Sequence, residues 1–108
     1  GHIGFCEPNA CLNPHTHLAT LRQETIKVNS RFFQSETEVP PQALTMGIGT
    51  ILKARRILLL ANGRKKAAAI KKTVQGFVTT ECPSSLLQVH PNVTVLLDPE
   101  AAALLDKE

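Results

Sequence analysis

The sequence predicts a layered α/β domain, and three features carry that prediction. Ile57-Leu58-Leu59-Leu60-Ala61 is a continuous apolar run between Arg56 and Asn62-Gly63, the pattern of a strand buried on both faces of a parallel sheet. Behind the Asn-Gly turn, Ala67, Ile70, Val74 and Phe77 fall on one helical face among Lys65, Lys66, Lys71 and Lys72, with Gly76 as a stop. Val93-Thr94-Val95-Leu96-Leu97 then offers a second strand. A strand, a helix and a further strand in this order call for a mostly parallel sheet flanked by helices, joined by right-handed crossovers.

The remaining elements follow along the chain. Residues 1–14 hold Gly4, Pro8, Asn9, Asn13 and Pro14, too much punctuation for regular structure, and read as a loop. His15–Leu21, with its β-branched threonines, suits a short strand. Residues 22–33 carry Ile26, Val28, Phe32 and Phe33 with no clean period, and read as irregular with room for one helical turn. Pro40-Pro41 can open a helix over about 41–54, whose apolar face would be Leu44, Ile48, Ile51 and Leu52. Gly47 and Gly49 would lie inside it and permit close helix packing. Pro83 starts a short helix over 84–90, and Asp98-Pro99 starts a last one over Glu100–Leu105. The chain is thus one domain or domain fragment over residues 1–108, an irregular loop region over 1–38 followed by an α/β region over 39–108. Two strong strands make a thin sheet. With Gly1-His2 in place of an initiator Met, the expectation is a fragment whose sheet continues on an N-terminal portion.

Composition narrows the function. At 108 residues the chain holds one core, and its net charge of +3 suits an anionic small molecule without requiring one. It has no Trp or Tyr and its four Phe are scattered, so a stacking platform for bases lacks parts and nucleic acid is not an expected partner. The run Ile57–Ala61 is far short of the roughly 20 residues that span a bilayer, so no membrane span is expected. Three cysteines at no disulfide-framework spacing, and an opening unlike a secretory signal, fit a cytoplasmic chain.

Three constellations could carry chemistry. His2 and Glu7 stand five residues apart on one loop, and a carboxylate bonded to one imidazole nitrogen raises the basicity of the other, which suits acid/base work near neutral pH. Taken alone, the pair reads more simply as two solvated loop residues. Cys6, Cys11, His15 and His17 are a metal-like set, but their spacing departs from structural zinc sites at both ends, so no metal is expected; His15 and His17 on a strand would share one face. The turn Asn62-Gly63-Arg64-Lys65-Lys66 joins a strand to a helix start, where free N–H groups, the helix dipole and a lysine can cradle a phosphate. It lacks the nucleotide P-loop pattern, and exposed basic residues at a helix start are the plainer alternative.

Taken together, Gly1-His2-Ile3-Gly4-Phe5-Cys6-Glu7-Pro8, Asn29-Ser30-Arg31-Phe32-Phe33 and Val39-Pro40 with Ala43–Leu52 resemble consecutive blocks of the glucosamine-6-phosphate deaminase family. The resemblance continues through Ile57–Ala61, Gly63, Lys66-Ala67, Leu87–Pro91 and Val93–Leu96, in the order of that family's C-terminal portion. The related 6-phosphogluconolactonases share the Gly-His region, whereas Phe5 to Pro8 look like the deaminase branch. The resemblance implies the C-terminal part of a Rossmann-like fold. It also implies an aldose–ketose isomerisation with deamination, from glucosamine 6-phosphate to fructose 6-phosphate and ammonia, without a cofactor. Carried over by position, His2 matches the imidazole that assists ring opening and Glu7 the carboxylate that partners it; Arg31 and Lys66 match the phosphate-binding cations.

Departures from the family pattern bear on activity. The family's Asp before Gly-His, the earlier Asp that removes the C2 proton and an N-terminal phosphate loop all fall outside this chain, so the isolated chain is expected to be inactive. Losing a general base costs about 10²–10⁴-fold in rate. Cys6 stands where Asn is usual, and His17 and Ala19 stand at positions where some bacterial members use basic residues for allosteric control, so that regulation is not expected. The implied partners are a phosphorylated amino sugar and either a homo-oligomer or a complementing N-terminal portion. The alternative is a non-catalytic α/β module that binds a phosphorylated sugar or a partner chain, with His2 and Glu7 merely exposed.

Overall fold

The computed structural model describes residues 1–9 and 12–107. Its regular elements are β1 (His17–Thr20), α1 (Gln23–Asn29), β2 (Gln42–Thr45), α2 (Ile48–Leu52), β3 (Ile57–Ala61), α3 (Ala67–Gln75) and β4 (Val93–Leu97). Short 3₁₀ segments lie at Ser30–Phe32, Glu36–Glu38, Arg64–Lys66 and Pro83–Val89. Among the described residues β3 pairs in parallel with β4, from Ile57 opposite Val93 to Ala61 opposite Leu97, and β1 pairs antiparallel with β2. The α/β class and its parallel unit are those expected; the antiparallel pair is an addition.

The parallel unit forms for local reasons. Three consecutive alanines favour helix at the start of α3, which buries Ala67, Ile70 and Thr73. Thr73 is buried beside the half-exposed Val74, its hydroxyl held from both sides: it donates to the Ala69 carbonyl at 2.7 Å and pairs with the Ser84 hydroxyl at 2.6 Å. Gln88 donates to the Thr73 and Gly76 carbonyls at 2.8 and 2.9 Å, satisfying the open end of α3. Phe77, past the Gly76 stop, leaves the helical period and is 93% exposed rather than on the buried face. Leu59, Val93 and Val95 face Val74 and Leu87 across a cavity of about 260 Å³.

Other expectations are corrected. The strand at 57–61 is covered on one face, not two: Leu58 is 56% and Leu60 67% exposed, because no described element packs over them. The helix expected over 41–54 is a strand followed by a shorter helix. Its apolar spacing fits a helix, but Gln42–Thr45 pairs with β1, Leu44 lies opposite Leu18, and the Pro41 carbonyl accepts the Leu21 N–H at 2.9 Å beside the ladder. Gly47 and Gly49 are therefore at the start of α2 rather than inside a long helix, and they pack against Pro14: a Cβ on Gly47 would stand 2.2 Å from the Pro14 carbonyl carbon. Residues 23–29 form a helix of 7 residues where irregular chain with room for one helical turn was expected. Residues 99–104 are turns, not a helix, because their backbone bonds mix four- and three-residue steps in a segment too short to sustain one.

Candidate active site

His2 and Glu7 sit on the two legs of a tight hairpin. Ile3 and Cys6 exchange backbone hydrogen bonds at 3.1 and 2.9 Å around Gly4-Phe5, and Gly4 has φ +56°, a turn position that glycine adopts without a Cβ penalty. His2 and Glu7 flank that pair, so the spacing of five residues is a consequence of the turn. β2 pins the hairpin tip: the Phe5 N–H donates to the Thr45 hydroxyl at 3.1 Å, and buried Cys6 reaches the Met46 carbonyl at 3.6 Å. Its base is held by the Ser84 N–H, which donates to the Gly1 carbonyl at 2.9 Å.

Glu7 does not hydrogen-bond His2. Its carboxylate accepts from the Thr25 hydroxyl and from the Arg22 backbone N–H at 3.1 Å, and the Arg22 guanidinium lies 3.6 Å away, its reach fixed by a second bond to the Pro8 carbonyl. Glu7 thus satisfies, from a distant loop, the backbone N–H of Arg22 at the head of α1. Its influence on His2 is electrostatic. Burial holds His2 below the ordinary imidazole value, the Gly1 amino group and Lys66 add to that, and Glu7 opposes it. Burial also pushes the Cys6 thiol up.

Lys66 is the other sequence-predicted residue in this neighbourhood. Gly63, at φ +86° with open space where a Cβ would stand, turns the chain out of β3, and its carbonyl accepts the Lys66 N–H at 3.1 Å. The Gly63 N–H is not free for a ligand: both oxygens of Asp98 accept from it, at 3.1 and 3.0 Å. Of the cradle expected from the sequence there remain the exposed Lys66 and the following helix start, at the carboxyl end of the parallel strands where open α/β sheets bind ligands. Arg31 is brought no closer than its own helix allows. Its guanidinium stacks 4.6 Å from the Phe32 ring centre, and among the described residues no contact joins it to His2, Glu7 or Lys66.

The metal-like set is not assembled. β1 begins at His17, leaving His15 outside the strand, and His17 Nδ1 lies 2.6 Å from the His15 carbonyl. Cys11 lies outside the described residues, and among those described no group of three or more His, Cys, Asp or Glu could hold a metal ion. Nor is any described helix long and apolar enough to cross a membrane. Sequence reasoning missed Arg22, Thr25, Thr45 and Asp98 as supports of the site; Asp98 was visible only as a helix start.

The model of the family described as glucosamine-6-phosphate isomerases/6-phosphogluconolactonase matches residues 10–96. A glucosamine-6-phosphate deaminase of Halothermothrix orenii is 61% identical over 97% of this chain and 44% of its own length. One from Thermoanaerobacter pseudethanolicus is 51% identical over 100% of this chain and 43% of its own. A solved structure described as a monomeric glucosamine-6-phosphate deaminase superposes with a TM-score of 0.87 at 47% identity, covering 93% of this chain and 42% of that one. The chain spans less than half the length of these relatives.

Proposed function

The chain belongs to the family of glucosamine-6-phosphate isomerases and 6-phosphogluconolactonases, and from that premise we propose that it carries part of the active site of a glucosamine-6-phosphate deaminase. The reaction takes glucosamine 6-phosphate and water to fructose 6-phosphate and ammonia. In this reading His2 moves a proton to and from the ring oxygen as the sugar opens. Glu7 supplies the negative field that favours the imidazolium formed on the way. Lys66 and Arg31 hold the phosphate, and the base that removes the C2 proton comes from outside these 108 residues. The observation that carries the reading is the hairpin closed by the Ile3–Cys6 backbone pair, which sets His2 and Glu7 on its two legs. An imidazole on one leg with a carboxylate on the other, its pKa lowered by burial and raised back by that carboxylate, suits the uptake and return of a proton near neutral pH.

The engagement of Glu7 with Arg22 and Thr25 favours a second reading, a module that binds the phosphorylated sugar without turning it over. The two separate in a protein of the relatives' full length that carries this chain, assayed for ammonia release from glucosamine 6-phosphate. Catalysis predicts release, and His2→Ala and Glu7→Ala lower kcat more than they raise KM. Binding of the sugar phosphate with no release at all supports the module instead.

A further inference from the structure

Asp98 stands at the carboxyl end of β4 and reaches across to the loop that leaves β3. Both of its oxygens accept the Gly63 N–H, and Oδ1 also accepts the Ala101 N–H at 2.7 Å, where Ala101 is fully buried. The Gly63 carbonyl in turn accepts the Lys66 N–H at 3.1 Å. The two backbone polar groups of one residue, Gly63, therefore link the Asp98 carboxylate on one side to the backbone N–H of Lys66 on the other.

Gly63 needs such a hold. Its backbone lies at φ +86° and ψ 153°, a region open to little but glycine, and the side where a Cβ would stand is open, with no heavy atom within 4 Å of that position. The charge-assisted bonds from the Gly63 N–H to Asp98, itself tied to the buried Ala101 N–H, favour this conformation among the many available to a glycine.

We propose that Asp98 is a positioning residue for phosphate binding, acting through Gly63 on Lys66. This rests on the reading of Lys66 as a phosphate ligand. It adds to the site a residue that touches no substrate: the carboxylate sets the direction of the β3–α3 turn, and with it where the Lys66 charge stands. Its oxygens accept two backbone N–H groups, and among the described residues no ion pair joins it to Lys66.

The test uses the protein of the relatives' full length, with Asp98→Ala, Asp98→Asn and Lys66→Met, alone and in pairs. The readouts are KM and kcat for the phosphorylated sugar, and inhibition by inorganic phosphate. Asp98→Ala should raise KM and the phosphate inhibition constant about tenfold, the equivalent of one charge-assisted hydrogen bond, with kcat nearly unchanged. Asn keeps one oxygen for the Gly63 N–H and should restore most of the loss. In the Lys66→Met background, Asp98→Ala should weaken phosphate inhibition no further, because the two act on one path.

Additive losses, or a fall in kcat at constant KM, would overturn the proposal and leave Asp98 a structural tie. If the alanine variant does not fold, Asp98→Asn decides by the same KM-against-kcat split. Should Lys66→Met itself leave phosphate inhibition unchanged, the reading of Lys66 fails first; an effect of Lys66→Met with none of Asp98→Ala refutes only the role of Asp98.

Discussion

Thr25 donates its hydroxyl hydrogen to Oε1 of Glu7 across 18 residues of chain, so the loop that bears the candidate acid/base pair and the first turn of α1 are one unit. The Glu7 side chain is only 9% exposed, and losing a partner there leaves a nearly buried carboxylate oxygen short of a donor. Thr25→Val keeps the shape and removes the bond, and should destabilise the protein by about 1–3 kcal/mol. The midpoint of denaturant unfolding measures it, and faster hydrogen exchange of the α1 amides should accompany it. An unchanged midpoint would mean that Arg22 alone holds Glu7.

The environment of His2 makes opposite predictions for its two charged neighbours. Lys66 disfavours the imidazolium and Glu7 favours it, while burial is the largest cause of the lowered value. Lys66→Met should therefore raise the His2 pKa and Glu7→Gln should lower it further, both read from the imidazole resonances during an NMR titration. Between the lowered folded value and the ordinary 6.5 the unfolded chain binds more protons, so His2 makes stability fall as pH drops through that window. Shifts of the same sign in both variants would show that His2 responds to a conformational change and not to these charges.

What could be read from the residues was what is decided locally. Ile57–Ala61 and Val93–Leu97 announce strands because each run is apolar in itself, and the Gly4 turn brings His2 and Glu7 together within a few residues. The segment from Gln42 was misread because Leu44, Ile48, Ile51 and Leu52 satisfy a helical period, while the strand that claims Leu44 lies far back at Leu18. The supports of the site failed for the same reason: Thr25 on Glu7, Thr45 on Phe5 and Asp98 on Gly63 are partners across long stretches of chain, and their sequence surroundings give no sign of it. The unbroken apolar run Ile57–Ala61 implies burial of both sheet faces, but Leu58 and Leu60 have no cover within the described residues.

The phosphate assignment separates by charge. If Arg31 and Lys66 hold the phosphate, Arg31→Ala and Lys66→Met should each weaken binding of the phosphorylated sugar about tenfold or more, since each removes a charge-assisted bond. The unphosphorylated sugar should bind equally to all forms. Titration calorimetry with both sugars is the measurement. Arg31 is the sharper case, because its guanidinium lies over Phe32, apart from Lys66. An unaffected Arg31→Ala would remove it from the site and leave Lys66 as this chain's sole proposed phosphate cation.

Two glycines should fail for different reasons. At Gly63 a methyl group has open space, so Gly63→Ala costs only backbone strain at φ +86°, about 1–3 kcal/mol. Gly47 has φ −79°, which any residue adopts, yet an added Cβ would stand 2.2 Å from the Pro14 carbonyl carbon and 2.3 Å from the Pro14 and His15 carbonyl oxygens. Gly47→Ala must therefore push backbone aside, and Pro14 and His15 precede β1, so the displacement carries into that strand. Thermal melting should show the larger loss for Gly47→Ala, and only that variant should speed exchange of the β1 amides. Equal losses with β1 intact in both would mean that the segment around Pro14 yields without cost, and that its contact with Gly47 contributes nothing to holding the antiparallel pair.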